Sequence, residues 1–440
     1  MKRNRTPQDA VGAALVREWE DPSAIWRDAP FWSWNEALTP ARLRRQIRCM
    51  QKAGMGGFFM HSRYGLKTPY LSQAWFRCIS ACVEEARRRG MKAYLYDEDR
   101  WPSGSAGGSL TRAHLEFRAR LLERRPPSRR AEPPSLAIFD LLFDKTGRLV
   151  SYRPAQGSAP RCGALHRREA YGERLEAPAA WYNDGTYLDT PNREAVAAFI
   201  WSTHEPYRQA YGRDFGGVIP AIFTDEPSLS SARGGEVVNW TRNLLAEFKA
   251  RRGYDLLPHL PELFYPLASG PFSPVRRDFR LTLTELFVTN FTRQVADWCA
   301  QHRLPLTGHV FEEYNYSSQI RTVGAAMPHY EFMQWPGVDI LCDPSTVELS
   351  TVKQCTSVCD QLGKERTLSE LYGGIGWDCS LEQHKFIGDW QAACGINFRC
   401  VHLVHYSLAG GGPSATGRPA SSCTVPGTTT TAESRTTLRG

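Results

Sequence analysis

The stretch that decides the fold is Ile219-Pro220-Ala221-Ile222-Phe223-Thr224-Asp225-Glu226-Pro227. Its apolar part is too short for a helix and predicts a strand buried on both faces. Pro227 has no amide hydrogen for a sheet ladder, so the strand should end there. Asp225 and Glu226 would then lie at the carboxyl end of a buried strand, where parallel β/α proteins build their sites. The alternative is that the two acids cap a strand end and face solvent.

Seven other stretches repeat this pattern of apolar residues followed by polar ones, and most are separated by helix signals. Thr39 and Pro40 predict a helix start, and Gly54 and Gly90 predict helix ends. Such alternation of eight buried strands with helices is typical of a (β/α)8 barrel, an α/β fold of the TIM type. A doubly wound open sheet is the alternative, but no G-x-G-x-x-G follows the first strand. The seven stretches are 31–35, 56–63, 91–100, 305–313, 338–343, 366–372 and 396–403.

Three segments lie outside the barrel pattern, which we expect to occupy residues 28–408 as a catalytic domain. Residues 1–27 form a polar lead-in. The arginine-rich segment 112–135 predicts a helix that leads into a linker, and 136–153 predicts a β-hairpin. We therefore expect a small β-hairpin insertion over about 130–185, after the third strand.

The segment 409–440 is rich in Gly, Pro, Ser and Thr, and it predicts a disordered tail where the last helix of a barrel belongs. Read one nucleotide out of register with permissible codons, Thr430–Arg439 can encode Tyr-Arg-Arg-Val-Glu-Asp-Tyr-Phe-Ala, an amphipathic helix start. We therefore interpret the tail as a frameshift product and expect the parent protein to be longer.

Composition narrows the class of function. The net charge of +8 forms no basic stripe with interleaved aromatics, so no nucleic-acid partner is expected. No signal peptide or transmembrane run is visible, so no membrane partner is expected. The 12 cysteines do not form a paired C-x-x-C zinc site, and free thiols without an export signal predict a cytoplasmic protein. The oligomeric state is left open.

Carboxylates, bases and aromatic residues at the strand ends predict a carbohydrate site. Aromatic faces stack on sugar rings, and two carboxylates can act as acid and base in glycosidic cleavage. The strand count puts Glu226 and Glu370 on opposite sides of the barrel mouth, with Glu312 as a third catalytic candidate. Retention or inversion of configuration is left open. The substrate-binding candidates are His61, Arg63, Asp97, Asp99, Arg100, Trp101, Asp225, His309, Asp339, Tyr372 and Trp377.

Each candidate has an alternative interpretation. Glu312 could be solvated beside Glu313, and the acids from Asp97 to Asp99 with Arg100 could form an internal salt-bridge network that shapes a loop. No metal ligand is assigned, although an acidic mouth can hold calcium through oxygen atoms.

Six stretches resemble bacterial glycoside hydrolases related to family 106, the α-L-rhamnosidase family. The resemblance covers residues 28–408. It implies a (β/α)8 catalytic domain followed by β-rich domains, with glutamate acid and base, inversion of configuration and use of calcium. The stretches are 31–35, 57–66, 96–104, 223–227, 308–313 and 369–374.

By position, the resemblance implies Glu226, Glu312 and Glu370 as the site glutamates, with acid and base unassigned among them. The departure from the family is that everything after the eighth strand is missing. The expected function is hydrolysis of a terminal α-L-rhamnoside-like sugar by carboxylate acid–base chemistry. The alternatives are an inactive truncated carbohydrate-binding remnant of such an enzyme and another barrel hydrolase.

Overall fold

The computed structural model describes residues 16–127, 135–157, 165–229, 235–341, 349–374 and 379–408. The predicted tail at 409–440 lies outside these residues. The strands are β1 (Phe31–Trp34), β2 (Gly57–Ser62), β3 (Lys92–Tyr96), β4 (Arg120–Arg125), β5 (Ala137–Phe143), β6 (Leu149–Pro154), β7 (His166–Leu175), β8 (Ile222–Asp225), β9 (Val237–Trp240), β10 (Leu306–His309), β11 (Trp335–Asp339), β12 (Leu368–Leu371), β13 (Phe398–Val401) and β14 (Val404–His405).

The α-helices begin with α1 (Pro40–Lys52), α2 (Gln73–Arg89), α3 (Ser109–Ala113) and α4 (Arg193–Tyr211). They continue with α5 (Leu244–Arg252), α6 (Pro274–Phe287), α7 (Gln294–Gln301), α8 (Tyr316–Thr322), α9 (Met327–Phe332), α10 (Leu349–Leu362) and α11 (Leu381–Ala393). As the sequence predicted, the Thr39 hydroxyl caps α1 by accepting from the amide of Arg42, and Gly90 ends α2 with φ 65°. No helix of the described residues is long and apolar enough to span a bilayer.

The main sheet is nine-stranded and parallel, in the order β13-β12-β11-β10-β8-β3-β2-β1-β14. A strand is present at each of the eight predicted places. Because all the strands are parallel, their carboxyl ends meet at one edge, which brings the predicted site residues to the same end of the sheet. The sixth strand begins three residues earlier than predicted, since Trp335 and Pro336 already belong to the ladder.

The sheet curls around a core of aromatic rings. Phe31 contacts Phe223 with 4.7 Å between ring centroids. Phe59 of β2 contacts Phe398 of β13 at 6.0 Å, although five strands separate β2 from β13 in the sheet. At the outer strands, β14 pairs with β1, and the Ala29 amide donates to the Arg399 carbonyl at 3.1 Å. The two ends of the strand order therefore approach each other.

A second sheet is antiparallel and five-stranded, in the order β6-β5-β7-β4-β9. It contains the predicted hairpin as β5 and β6, and it extends beyond that hairpin. The helix predicted over 112–135 is wrong for the described residues, because Arg120–Arg125 is a strand. Leu121 and Leu122 are buried there, and β4 is paired on both sides, so tertiary pairing outweighs the helix-favouring composition.

Candidate active site

The centre of the site is His309, at the carboxyl end of β10. Its Nε2 atom lies 3.1 Å from Oε2 of Glu370 and 3.5 Å from Oδ1 of Asp225. Asp225 is its register neighbour on β8, and Tyr96 donates from its hydroxyl to Asp225 Oδ2 at 2.6 Å. All four side chains are buried. One imidazole therefore links two carboxylates from different strands.

The carboxylates decide the charge of His309. Burial alone would lower its pKa, but the hydrogen bond to Glu370 and the charges of Asp339, Glu370 and Asp225 raise the pKa well above its ordinary value. His309 is therefore an imidazolium at neutral pH. Burial raises the pKa of Glu370, and the hydrogen bond and charge of His309 oppose that rise. The cation thus favours an ionised Glu370.

Glu226 and Asp339 form a second carboxyl pair. A carboxyl oxygen of each lies within 4.8 Å of the other and of a His309 ring nitrogen. Burial, together with the negative charge of Asp339, raises the pKa of Glu226 well above its ordinary value. Burial and the charge of Glu370 raise the pKa of Asp339 to about 7. Two carboxyl groups this close do not both ionise easily, so the pair favours keeping one proton between them.

Glu226 and Glu370 reach the same histidine because only β10 and β11 separate their strands. Their strands are the fourth and seventh of the eight predicted strands, and the placement of the two acids on opposite sides of a barrel mouth stays a prediction. Glu226 is half-buried and so remains open to the mouth, while Glu370 is 6% exposed.

Arg63, His61 and His402 border Glu370 on the other side. His402 Nε2 lies 3.6 Å from Glu370 Oε1, and Arg63 Nη1 lies 3.0 Å from His61 Nε2. Burial, reinforced by the charge of Arg63, lowers the pKa of both histidines well below the ordinary value. These imidazoles are neutral and Arg63 supplies the positive charge on this side.

The acids after β3 are engaged in shaping their own loop. Glu98 is fully buried and accepts from five backbone amides at 2.5–3.1 Å, those of Asp99 and of residues 104–107. Asp97 accepts from the Ser103 hydroxyl at 2.5 Å. Asp99 accepts from Ser62 at 2.9 Å, from Arg100 at 3.0 Å and from Asn183 at 3.0 Å. The contacts of these acids are those of an internal network.

Four further candidates lie away from His309 or outside the described residues. Glu312 is directed at Arg321, 3.8 Å away, while the adjacent Glu313 is buried and hydrogen-bonded by Tyr330. Tyr372 packs beside Ile387 and against the His384 ring, at 4.8 Å. Trp101 is half-buried in the loop after β3 and contacts Trp181. Trp377 falls outside the described residues.

Sequence reasoning missed several neighbours of the site. Tyr96 lies in the third predicted strand, and its position next to Asp97 is a sequence signal for a place in the site. The Ser103 hydroxyl accepts from the Asp225 amide at 2.8 Å, a contact that no motif spacing announces. Trp181 and Asn183 reach the loop after β3 from a distant, aperiodic segment, so they gave no sequence signal.

The donor atoms brought together here do not match calcium. Two groups of possible ligands meet among the described residues: Asp225, His309 and Glu370, and Glu226, His309 and Asp339. Both contain the His309 nitrogen, whereas calcium takes six to eight oxygen ligands. In the first group the oxygens already bond to His309 and Tyr96.

Comparison with known proteins agrees with this architecture. The α-L-rhamnosidase family, glycoside hydrolase family 106, matches residues 171–420. The rhamnosidase from Novosphingobium sp. PP1Y has a similar fold, with a TM-score of 0.63 at 15% identity over 90% of this chain and 57% of that chain. A putative β-glucuronidase from Formosa agariphila is 27% identical over 232 residues, covering 52% of this chain and 19% of that protein.

The chain thus belongs to glycoside hydrolase family 106, a family of glycosidases. It spans about a fifth of the Formosa relative and 57% of the solved rhamnosidase chain.

Proposed function

We propose that this chain is the catalytic domain of a glycosidase that removes a terminal α-L-rhamnoside or a similar sugar by carboxylate acid–base catalysis. The observation that carries the proposal is the close carboxyl pair Glu226–Asp339 next to the ion pair His309–Glu370. Glycoside hydrolysis needs one protonated and one ionised carboxyl group. This arrangement favours a protonated Glu226 and an ionised Glu370. Family membership supports the sugar class.

In this proposal Glu226 is the general acid and Glu370 is the general base. Glu226 is open to the mouth and its raised pKa favours the protonated form, which can donate to the leaving oxygen. The positive charge of His309 favours the ionised form of Glu370, which can take a proton from the attacking water. A base that activates water predicts inversion at the anomeric carbon. Glu312, which is directed at Arg321, has no role in this proposal.

We further propose that the parallel sheet closes into a (β/α)8 barrel over residues 28–408. The pairing of β14 with β1 and the hydrogen bond from Ala29 to Arg399 support closure, as does the contact between Phe59 and Phe398. In a closed sheet all the carboxyl ends would surround one mouth, and both carboxyl pairs would face the same substrate.

The test is hydrolysis of 4-nitrophenyl glycosides by the full chain, with α-L-rhamnoside, β-D-glucuronide and β-D-mannoside compared. We expect release from the rhamnoside, its loss in Glu370→Gln, and the opposite anomer as the first product in a proton NMR time course. Preferential cleavage of the glucuronide would overturn the sugar assignment. A folded chain that cleaves none of the three but binds L-rhamnose in calorimetry would instead be a carbohydrate-binding remnant.

A further inference from the structure

Three aromatic side chains, in the loops after β2 and β3 and near residue 181, form a surface that the proposed chemistry does not use. The rings of Tyr64 and Trp181 are parallel within 4°, with centroids 6.2 Å apart, and Trp101 lies 5.3 Å from Trp181 at 58°. Tyr64 is 44% exposed, and the two tryptophans are half-buried. We call Tyr64, Trp101 and Trp181 the aromatic platform.

The platform is held in place by polar contacts. The Trp181 indole donates to the Trp101 carbonyl at 2.8 Å. The Arg100 guanidinium lies 5.9 Å from the Tyr64 ring and 5.8 Å from the Trp181 ring. Asp99 and Asn183 accept from this guanidinium at 3.0 Å each. A ligand that stacks here would therefore meet a preformed surface and would lose little side-chain entropy on binding.

The two loops that carry Tyr64 and Trp101 are connected to the site. Tyr64 directly follows Arg63, whose charge opposes the rise in the Glu370 pKa that burial causes. Trp101 is two residues before Ser103, whose hydroxyl accepts from the Asp225 amide at 2.8 Å. Glu370 and Asp225 lie in the buried interior, whereas Tyr64 of the platform is exposed to solvent. For an enzyme acting on a terminal sugar, the buried end suits the cleaved sugar and the open end suits the remainder of the substrate.

We propose that the aromatic platform is a subsite for the sugar ring on the leaving-group side of the scissile bond. This inference rests on the proposed function. The C–H face of a pyranose stacks on aromatic rings, and polar side chains at the rim such as Arg100 and Asn183 suit sugar hydroxyls. The platform thus favours a disaccharide or longer glycan over a substrate whose leaving group has no ring.

The kinetic test compares an α-L-rhamnosyl-D-glucose disaccharide with α-L-rhamnosyl fluoride, whose leaving group cannot stack. In Trp181→Ala we expect kcat/KM for the disaccharide to fall about tenfold more than for the fluoride. Trp181→Phe keeps an aromatic face, so it should recover most of the kcat/KM for the disaccharide that Trp181→Ala loses. The control is Trp201→Ala, which removes a 70% exposed tryptophan on α4, away from the site. Equal losses for both substrates, or no loss, would overturn the subsite.

A binding measurement separates this inference from the proposed chemistry. The disaccharide is titrated calorimetrically into Glu370→Gln and into the double variant with Trp181→Ala. Weaker binding of the disaccharide in the double variant, with unchanged binding of L-rhamnose, supports the platform whether or not the enzyme turns over. Equal disaccharide binding by the two proteins, or no binding to either, overturns it.

Discussion

At the residue scale, the backbone at the strand ends decides which acids meet. Glu226 follows β8 with φ 50°, a left-handed conformation that is unfavourable for a non-glycine residue. Asp225, still on the strand, faces His309, while Glu226 faces Asp339. Alternation along a strand predicted that only one of two adjacent acids points into the site. The left-handed backbone at Glu226 breaks that alternation and has no signal in the sequence. The sequence therefore located the two acids but did not assign their partners.

The first prediction concerns leaving-group dependence in Glu226→Gln. A general acid matters most when the leaving group is poor, so kcat/KM for the disaccharide should fall about 10³-fold. The loss should be far smaller for 2,4-dinitrophenyl α-L-rhamnoside, because its dinitrophenolate leaving group departs without being protonated. Glu370→Gln is the matched control and should lose activity on both substrates alike. The same pattern in both variants would contradict the assignment of acid and base.

The second prediction concerns the pH profile of Asp339→Asn. The acid works only while protonated, so activity is lost as pH rises through the pKa of Glu226. The Asp339 charge contributes to raising that pKa, so its removal should lower it. We expect the alkaline limb of kcat/KM to move down by about one pH unit. Glu312→Gln, at the end of the neighbouring strand, should leave this limb in place, and an upward shift in Asp339→Asn would refute the pairing.

At the element scale, the short apolar stretches were enough to predict the parallel strands. Each is buried on both faces and is rich in apolar residues, with polar residues near its carboxyl end, as in Gly57–Ser62. The strand Arg120–Arg125 gave no signal because its sequence, Arg-Leu-Leu-Glu-Arg-Arg, does not alternate between polar and apolar residues. Its pairing partners come from β7 and β9. The loop after β3 could not be predicted either, since its shape depends on one buried side chain.

The third prediction tests that loop. Burial raises the pKa of Glu98 to about 7, and its hydrogen bonds from backbone amides oppose the rise. At pH 8.5 the carboxylate is ionised and accepts from all five amides. In Glu98→Gln the side-chain NH₂ would face backbone donors, so we expect a loss of about 3 kcal/mol in the free energy of unfolding. Urea denaturation measures it, with the partly exposed Glu312→Gln as control, and a loss below about 0.5 kcal/mol would contradict this role.

At the scale of the whole molecule, side-chain contacts join the two ends of the sheet in addition to the strand ladder. Asn35 donates to the Ser407 carbonyl at 2.8 Å and accepts from the Ser407 amide at 3.0 Å, and both residues are buried. This pair stands beside the ladder between β1 and β14. The order of the strands followed from the sequence as the usual succession of a parallel β/α fold. The contact between Asn35 and Ser407 did not, because a single asparagine carries no long-range signal.

The fourth prediction follows from that contact. Asn35→Ala leaves a buried carbonyl and a buried amide of Ser407 without partners, which should cost about 2 kcal/mol of unfolding free energy. Arg45→Ala on the exposed side of α1 is the control. Urea unfolding followed by tryptophan fluorescence measures both variants, and equal midpoints would show that Asn35 does not help to join the two edges.

The pairing of β1 with β14 also has a consequence for synthesis. The two residues that join these edges, Asn35 and Ser407, are 372 positions apart in the sequence. At ~5–20 residues per second, a ribosome needs roughly 20–75 s to make the chain between them. Throughout that time the free edge of β1 is an unpaired template for other strands, next to Phe31 and its aromatic neighbours. A nascent chain of this protein should therefore need bound chaperones until its last strands emerge from the ribosome. Slower translation should lengthen the time for which chaperones are needed.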